Sequence, residues 1–289
     1  MGFHLEAVRR PDRIAPGGLL LAGWLLASPV LGAATPPPSV DVVPGAVVRW
    51  EAQSGERCAN GVETWEPLGG VCYFGVDVKR EPGTVEVALV RDAARRTALL
   101  NVLASPYPEE RLTLDPRKVT LSKKDRERAK REWEEVAPVF DLRGPARFRL
   151  PLASPVTGPL PARNFGARRV LNGEPRSPHG GADFKTATGT PVLAVAPGRV
   201  VFVADHFFSG RGVYVDHGDG LVSMSAHLSR VDVKKGQDVR AGDRLGLSGA
   251  TGRVTGPHLH FGLRWRGATV DPGALLGPGA RMVAVPSVP

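Results

Sequence analysis

Three short runs carry the residues that could do chemistry. The first, SPHGGADF, sets His179 and Asp183 four apart, and Pro178, Gly180 and Gly181 inside it argue against a helix. The run therefore reads as a loop entering a strand, where a tight turn can bring both side chains to one point. Much later, GPHLHF places His258 and His260 two apart. On a strand that spacing aims both imidazoles at one face, with Leu259 and Phe261 on the other. Two imidazoles pointing together are costly to bury without partners, and they suit the edge of a metal site. Two histidines and Asp183 make a three-ligand set for Zn²⁺, with a fourth position left to water, as in catalytic rather than structural zinc sites. His227, in SAHLS, and the remaining member of the HLH pair are then neutral imidazoles. Such groups can take a proton from an attacking water and steady the charge that develops on a carbonyl. Spacing alone does not say which of His258 and His260 is ligand and which is base.

Other polar residues have plainer readings. His217 precedes Gly-Asp-Gly in VDHGDG and reads as a turn-stabilising or surface residue; His206 has no motif and reads as a surface residue. Asn172 and Arg176, just upstream of His179, either line a groove or sit on an exposed loop.

The elements that must hold these residues are β-rich. With 35 Gly and 27 Pro in 289 residues, the chain favours turn-dense β structure, and its length suits one large or two modest domains. Hydrophobic residues at 42% and charged residues at 23% exclude a wholly disordered or membrane-embedded chain. Six of the seven histidines fall in residues 148–277, where TPVLAVAPGRVVFVA, GVYVDHG, LVSMSAHL and HLHFGLRW are strand-like runs between Gly turns. This is an all-β domain.

Residues 44–121 form a second, smaller unit. Their short β-prone runs, such as TVEVALV with Val85, Val87 and Leu89 alternating, predict a small β-sandwich. Cys58 and Cys72 are expected to pair, closing a loop worth about 3 kcal/mol. Between the units, residues 122–147 read as a helical linker. Ser122 with Asp125 caps a solvated helix over 122–136, Glu127–Arg131 and Lys130–Glu134 are i,i+4 pairs, and Pro138 ends it. Ala129, Trp133 and Val136 form a stripe able to pack on a domain. Residues 35–43, with three consecutive prolines, read as an extended spacer, and 278–289 as a loose tail.

Residues 1–34 read as an export signal: Arg9, Arg10 and Arg13, an apolar run from Gly17 to Leu31, then Gly32-Ala33-Ala34 for cleavage. An uncleaved anchor is the competing reading. After cleavage no stable membrane span is expected, and the chain works in the periplasm or outside the cell. The net charge of +9 would draw it to a polyanion. Helix-turn-helix, zinc-finger and aromatic RNA-binding signatures are all missing, so nucleic acid is not an expected partner.

The stretch from about Asn164 to Pro272 resembles the lysostaphin-type, or LytM-like, zinc metallopeptidases that cut peptide bonds in peptidoglycan. The likeness is carried by NFGARRVLNGEPRSPHGGADF, GTPVLAVAPGRVVFV, VYVDHGDGLVSMSAHLS, VKKGQDVRAGDRLGLSGATGRVTGPHLHF and VDP, in order. It implies a barrel-sandwich-like β-hybrid catalytic domain and one Zn²⁺ held by His179, Asp183 and His260. It also implies His258 as general base, with His227 positioning water or stabilising the oxyanion. RLTLDPRKVTLSKKDRERAKRE before FRLPLASPVTG resembles periplasmic members with an N-terminal immunoglobulin-like β domain, which favours a D-alanyl–diaminopimelate cross-link as substrate. Peptidoglycan peptide stems are the implied partner, with an envelope regulatory protein as a further one. Ser225 stands where many such relatives carry an aromatic residue, a change expected to loosen a groove wall or alter substrate contact. Two other classes compete: an inactive LytM-like regulator that activates another wall hydrolase, and a lipoyl-type carrier suggested by VKKGQDVRAGDRLGLSG. The filled five-residue set argues against the first, and the lack of a lysine at a matching turn against the second.

Overall fold

The computed structural model describes residues 36–113, 121–158 and 164–286; the segment read as an export signal lies outside them. Among the described residues the fold is mostly β, with one α-helix, and no helix is long and apolar enough to cross a membrane.

The first core lies between two sheets. One has the order β1 (Ser39–Val42), β7 (Ala94–Val102), β6 (Gly83–Arg91), β3 (Arg57–Ala59), β4 (Thr64–Trp65). The other runs β21 (Val283–Ala284), β2 (Val47–Glu51), β5 (Val71–Gly75). Val48, Trp50, Trp65, Phe74, Val87 and Leu89 fill the space between them. The expected disulfide forms between Cys58 on β3 and Cys72 on β5, so it ties one sheet to the other through the core.

Two expectations about the ends of this unit are corrected. Residues 39–42, read as part of a Pro-rich spacer, are strand β1, parallel to β7 from Ser39↔Leu99 to Val42↔Val102. Val40 and Val42 alternate with Ser39 and Asp41, and the apolar pair turns toward the core. The presumed loose tail is pinned as well. β21 pairs with β2 in parallel register, Val48↔Val283, and Val285 is buried in the first core. Alternating valines outweigh the Pro and Gly around them.

A ribbon of β8 (Glu109–Leu112), β9 (Arg168–Leu171) and β10 (Glu174–Pro175) leads to the second unit. Its main sheet has seven strands among the described residues. The order is β11 (Ala182–Phe184), β19 (Leu259–Trp265), β15 (Leu221–Leu228), β14 (Gly210–Asp216), β13 (Gly198–His206), β17 (Asp238–Val239), with β20 (Ala268–Val270) also paired to β19. A smaller sheet, β12 (Pro191–Leu193), β18 (Arg244–Leu247), β16 (Arg230–Val231), closes the other side. Phe184, Val192, Val213, Leu245, Leu259 and Phe261 are buried between them.

Helix α1 (Lys123–Val136) starts at Ser122, whose Oγ accepts from the Asp125 amide at 3.1 Å, and gives way to a 3₁₀ turn at Ala137–Asp141. The expected Lys130–Glu134 pair forms, as does Arg128–Glu132. The helix is more than a solvated linker. Glu132 accepts from the Phe207 amide at 2.8 Å, and Arg128 donates to the Asp205 carbonyl at 3.2 Å. Val136, Val139 and Phe140 share a third core with Ala204, Tyr214 and Val222 of the main sheet. The two β units also meet directly: Tyr73 stacks on Trp265 at 5.1 Å, and Glu63 pairs with Arg143 and Arg266.

A candidate metal centre at the end of the main sheet

Register brings the distant residues together. β11 pairs antiparallel with β19 so that Asp183 faces His260 directly, and β15 sets Ala226 opposite the same His260. Gly181 permits this approach: a Cβ there would lie 2.6 Å from the Phe261 carbonyl oxygen and 2.7 Å from the His260 ring. His179, at the mouth of β11, is 4% exposed, and its ring centroid lies 4.9 Å from that of His260.

Three donor atoms converge. His179 Nε2 and Asp183 Oδ1 are 3.2 Å apart, Asp183 Oδ1 and His260 Nδ1 2.9 Å, and His179 Nε2 and His260 Nδ1 3.0 Å. Tetrahedral coordination with zinc–ligand bonds of ~2.0–2.1 Å would need edges of roughly 3.3 Å, so this near-equilateral triangle fits one face of such a site. Burial works to raise the Asp183 pKa, but hydrogen bonding to His179 and His260 overrides it and holds the carboxyl far below the ordinary range. The carboxylate is therefore ready to act as a ligand.

Two further histidines flank the triangle. His258 stands just before β19, and its ring centroid is 4.8 Å from that of His227, which in turn is 5.9 Å from that of His260. On plain alternation His227 would turn away from Ala226, toward the core side that Ser225 faces. A bulge prevents this. Val213 and Arg211 of β14 oppose Ser225 and Leu228 of β15, so two residues of β15 stand against one of β14. His227 takes a φ of 63°, a conformation uncommon outside glycine, and swings onto the metal-site face.

Backbone carbonyls set the tautomers. His227 Nδ1 lies 2.9 Å from the Thr251 carbonyl oxygen and His258 Nδ1 2.9 Å from that of Gly256. A carbonyl only accepts, so each Nδ1 carries a proton, and in the neutral ring Nε2 holds the lone pair. His179 Nδ1 likewise donates to the Asn164 carbonyl at 2.9 Å, freeing Nε2. Burial, reinforced by nearby His260 and His258, pushes His227 down to about 4, so it is neutral at neutral pH.

Asn164 is the site residue that sequence reasoning passed over. Its amide nitrogen donates to Asp183 Oδ2 at 2.8 Å, its side-chain oxygen accepts from the Asp183 amide at 3.2 Å, and its carbonyl holds His179. It lies upstream of His179 and Asp183 with the β9–β10 hairpin between, so its reach to Asp183 depends on how that hairpin folds back.

Other expectations shift. Ser225 is not in a groove wall: it is 1% exposed, opposite Phe261 on the core side of the sheet. His217 is not on the surface. It is fully buried, bonded to the Pro197 carbonyl and the Ser223 hydroxyl at 2.9 Å each, and it does brace its turn. His206 is half-buried beside Phe202. Asn172 and Arg176 are both exposed on the β9–β10 hairpin, where Arg176 pairs with Glu174.

Residues 177–272 match Peptidase family M23. Over 109 residues the chain is 47% identical to peptidoglycan DD-endopeptidase ShyA of Vibrio cholerae, an overlap of 37% of this chain and 25% of that one. It is 40% identical over 94 residues to DD-carboxypeptidase/endopeptidase Mpg of Neisseria meningitidis, 32% of this chain and 22% of the relative. The chain thus spans about a quarter of the length of these curated relatives. A crystal structure of a peptidase M23 from Pseudomonas aeruginosa aligns with a TM-score of 0.64 at 30% identity, covering 83% of this chain and 96% of that one.

Proposed function

The chain belongs to peptidase family M23, and from that premise we propose that it is a zinc-dependent endopeptidase of peptidoglycan peptide cross-links, cutting the D-alanyl–diaminopimelate bond. The observation that carries this reading is the convergence of His227 and His258 beside the His179–Asp183–His260 triangle. A structural metal site needs no bases at its open side. The choice of bond is supported by the name of the Vibrio cholerae relative, a DD-endopeptidase. The substrate lies in the envelope, and we place the chain there.

His179 Nε2, Asp183 Oδ1 and His260 Nδ1 would hold the ion. When bound, zinc supplies Lewis acidity toward the scissile carbonyl and lowers the pKa of water to about 7. The chain's own residues do the rest. His258 Nε2 offers the lone pair that takes the proton of the attacking water, while its Nδ1–H stays anchored on Gly256. His227, neutral and anchored on Thr251, accepts a second hydrogen bond from that water and fixes its direction. It can become a donor to the developing oxyanion only once protonated. The proton on His258 then passes to the leaving amine, and no covalent intermediate forms.

The test is incubation of the zinc-loaded protein with purified cross-linked peptidoglycan, with and without a chelator, beside His258→Ala. Chelator-sensitive release of uncrosslinked muropeptides, lost in the variant while zinc content holds, is expected. Intact cross-links after exposure to the zinc-loaded wild type would overturn the reading. Release of free D-alanine alone would make the chain a carboxypeptidase instead.

A further inference from the structure

A groove of about 300 Å³ opens beside the metal centre and runs beneath α1. Its floor is the half-buried face of β19 turned away from the main core. Alternation along that strand puts His260, Gly262 and Arg264 on one side, opposite Ala226, Met224 and Val222 of β15. Gly262 bears no side chain that could obstruct the path from metal ligand to cation. Trp133 and Phe140, from α1 and the turn after it, form the opposite wall.

Arg264 is an unusual floor residue. Its guanidinium sits 4.1 Å from the centre of the Phe140 ring and 5.2 Å from that of Trp133, half-buried in an aromatic cleft. Asp77 and Asp141 attract it only at longer range, and among the described residues it makes no hydrogen bond or ion pair. Asp77 is already engaged, accepting from the Thr269 amide at 2.8 Å and the Lys79 amide at 2.8 Å. A guanidinium stacked by its face keeps its edge N–H groups free in the plane, which is the geometry that takes a carboxylate in a bidentate pair. A half-buried cation without a counter-ion is costly, and a ligand anion would relieve that cost.

We propose that Arg264 binds a free carboxylate of the substrate peptide, so that this groove selects stems carrying that charge near the bond cut at the metal centre. The inference rests on the endopeptidase reading above. The distance suits it: Arg264 lies four residue steps along the strand from His260, about 13 Å on an extended chain, so a peptide lying in the groove spans both. Arg264 acts as a specificity residue and takes no part in bond breaking.

The test uses a soluble cross-linked stem-peptide dimer from Gram-negative peptidoglycan and the same dimer after amidation of its carboxylates. Binding is titrated calorimetrically to the full zinc-loaded chain carrying His258→Ala, so that nothing is consumed. The free-acid dimer is expected to bind about 10- to 100-fold more tightly than the amidated one, the range for a charge-assisted hydrogen bond. Arg264→Gln should abolish that preference by weakening the free acid alone, and Arg264→Lys should restore part of it. Equal affinity for the two dimers, which needs no variant, overturns the proposal. So does an equal loss for both in Arg264→Gln, the result if Arg264 only packs α1 in place. A binding preference in a chain whose unmutated parent cuts neither dimer would sustain the carboxylate site and sink the endopeptidase reading. Cleavage of both dimers with one KM would do the reverse.

Discussion

Asn164 and Asp183 hold each other twice, side chain to carboxylate at 2.8 Å and backbone amide to side chain at 3.2 Å. The amide cannot bond both groups unless the Asp183 carboxylate is turned with Oδ1 toward His179 and His260. One loop asparagine thus aims the acidic member of the triangle, while its carbonyl fixes the tautomer of His179.

Asn164→Ala removes the aim and keeps the carbonyl. Groups that orient metal ligands typically contribute 10- to 100-fold in affinity, and a loss of about that size is expected here. Competition with a chromophoric chelator measures it. An unchanged zinc affinity would mean that the two histidines orient Asp183 unaided.

His217 should make the fold acid-sensitive. Burial holds its pKa below the ordinary 6.5, so under mildly acidic conditions the unfolded chain binds a proton that the folded chain refuses. Its contribution is intact above pH 6.5 and is lost as pH falls below that value, at up to about 1.4 kcal/mol per pH unit. In His217→Gln that slope should shrink. Denaturant melts from pH 7.5 to 5 should show the variant about 1–3 kcal/mol less stable at the alkaline end, with the gap narrowing on acidification. Parallel curves would remove His217 from the account.

Ser225 carries a buried hydroxyl with no hydrogen-bond partner among the described residues. Ser225→Ala should therefore stabilise the protein by about 1 kcal/mol, a rise of roughly 2–4 °C in melting temperature. A fall in melting temperature would show that the hydroxyl is satisfied after all.

Loss of the disulfide should be felt as stability and hardly as chemistry, since Cys58 and Cys72 lie in the first core. Closing a loop of this length is worth about 3 kcal/mol in the chain-entropy model. The double variant Cys58→Ala/Cys72→Ala should lose that much in denaturant melts and keep its zinc. Loss of zinc in a folded variant would show that the two units are coupled more tightly than their contacts suggest.

Much of the site was legible because strand periodicity is short-ranged. Two histidines at i and i+2 must share a face wherever the strand goes, and His179 and Asp183 at a Gly-rich strand entry could converge. What could not be read was anything set by register. The Gly181 approach, the bulge that turns His227 and the reach of Asn164 all depend on strands far apart in the chain. Composition misplaced the ends. Val283 and Val285 alternate as clearly as any strand, yet Pro and Gly nearby suggested a tail. The charged surface of α1 implied solvation, whereas its last turn and the residues after it supply the apolar anchors.

The pairing of β21 with β2 carries a consequence for how the protein is made. In a chain synthesised from its N-terminus β2 precedes the peptidase unit and β21 follows it, so the sheet of β2 and β5 gains its third strand only after that unit has emerged. A chain cut short before Val283 would lack Val283 and Val285 and expose the apolar row they cover, so the upstream core depends on residues beyond the peptidase unit.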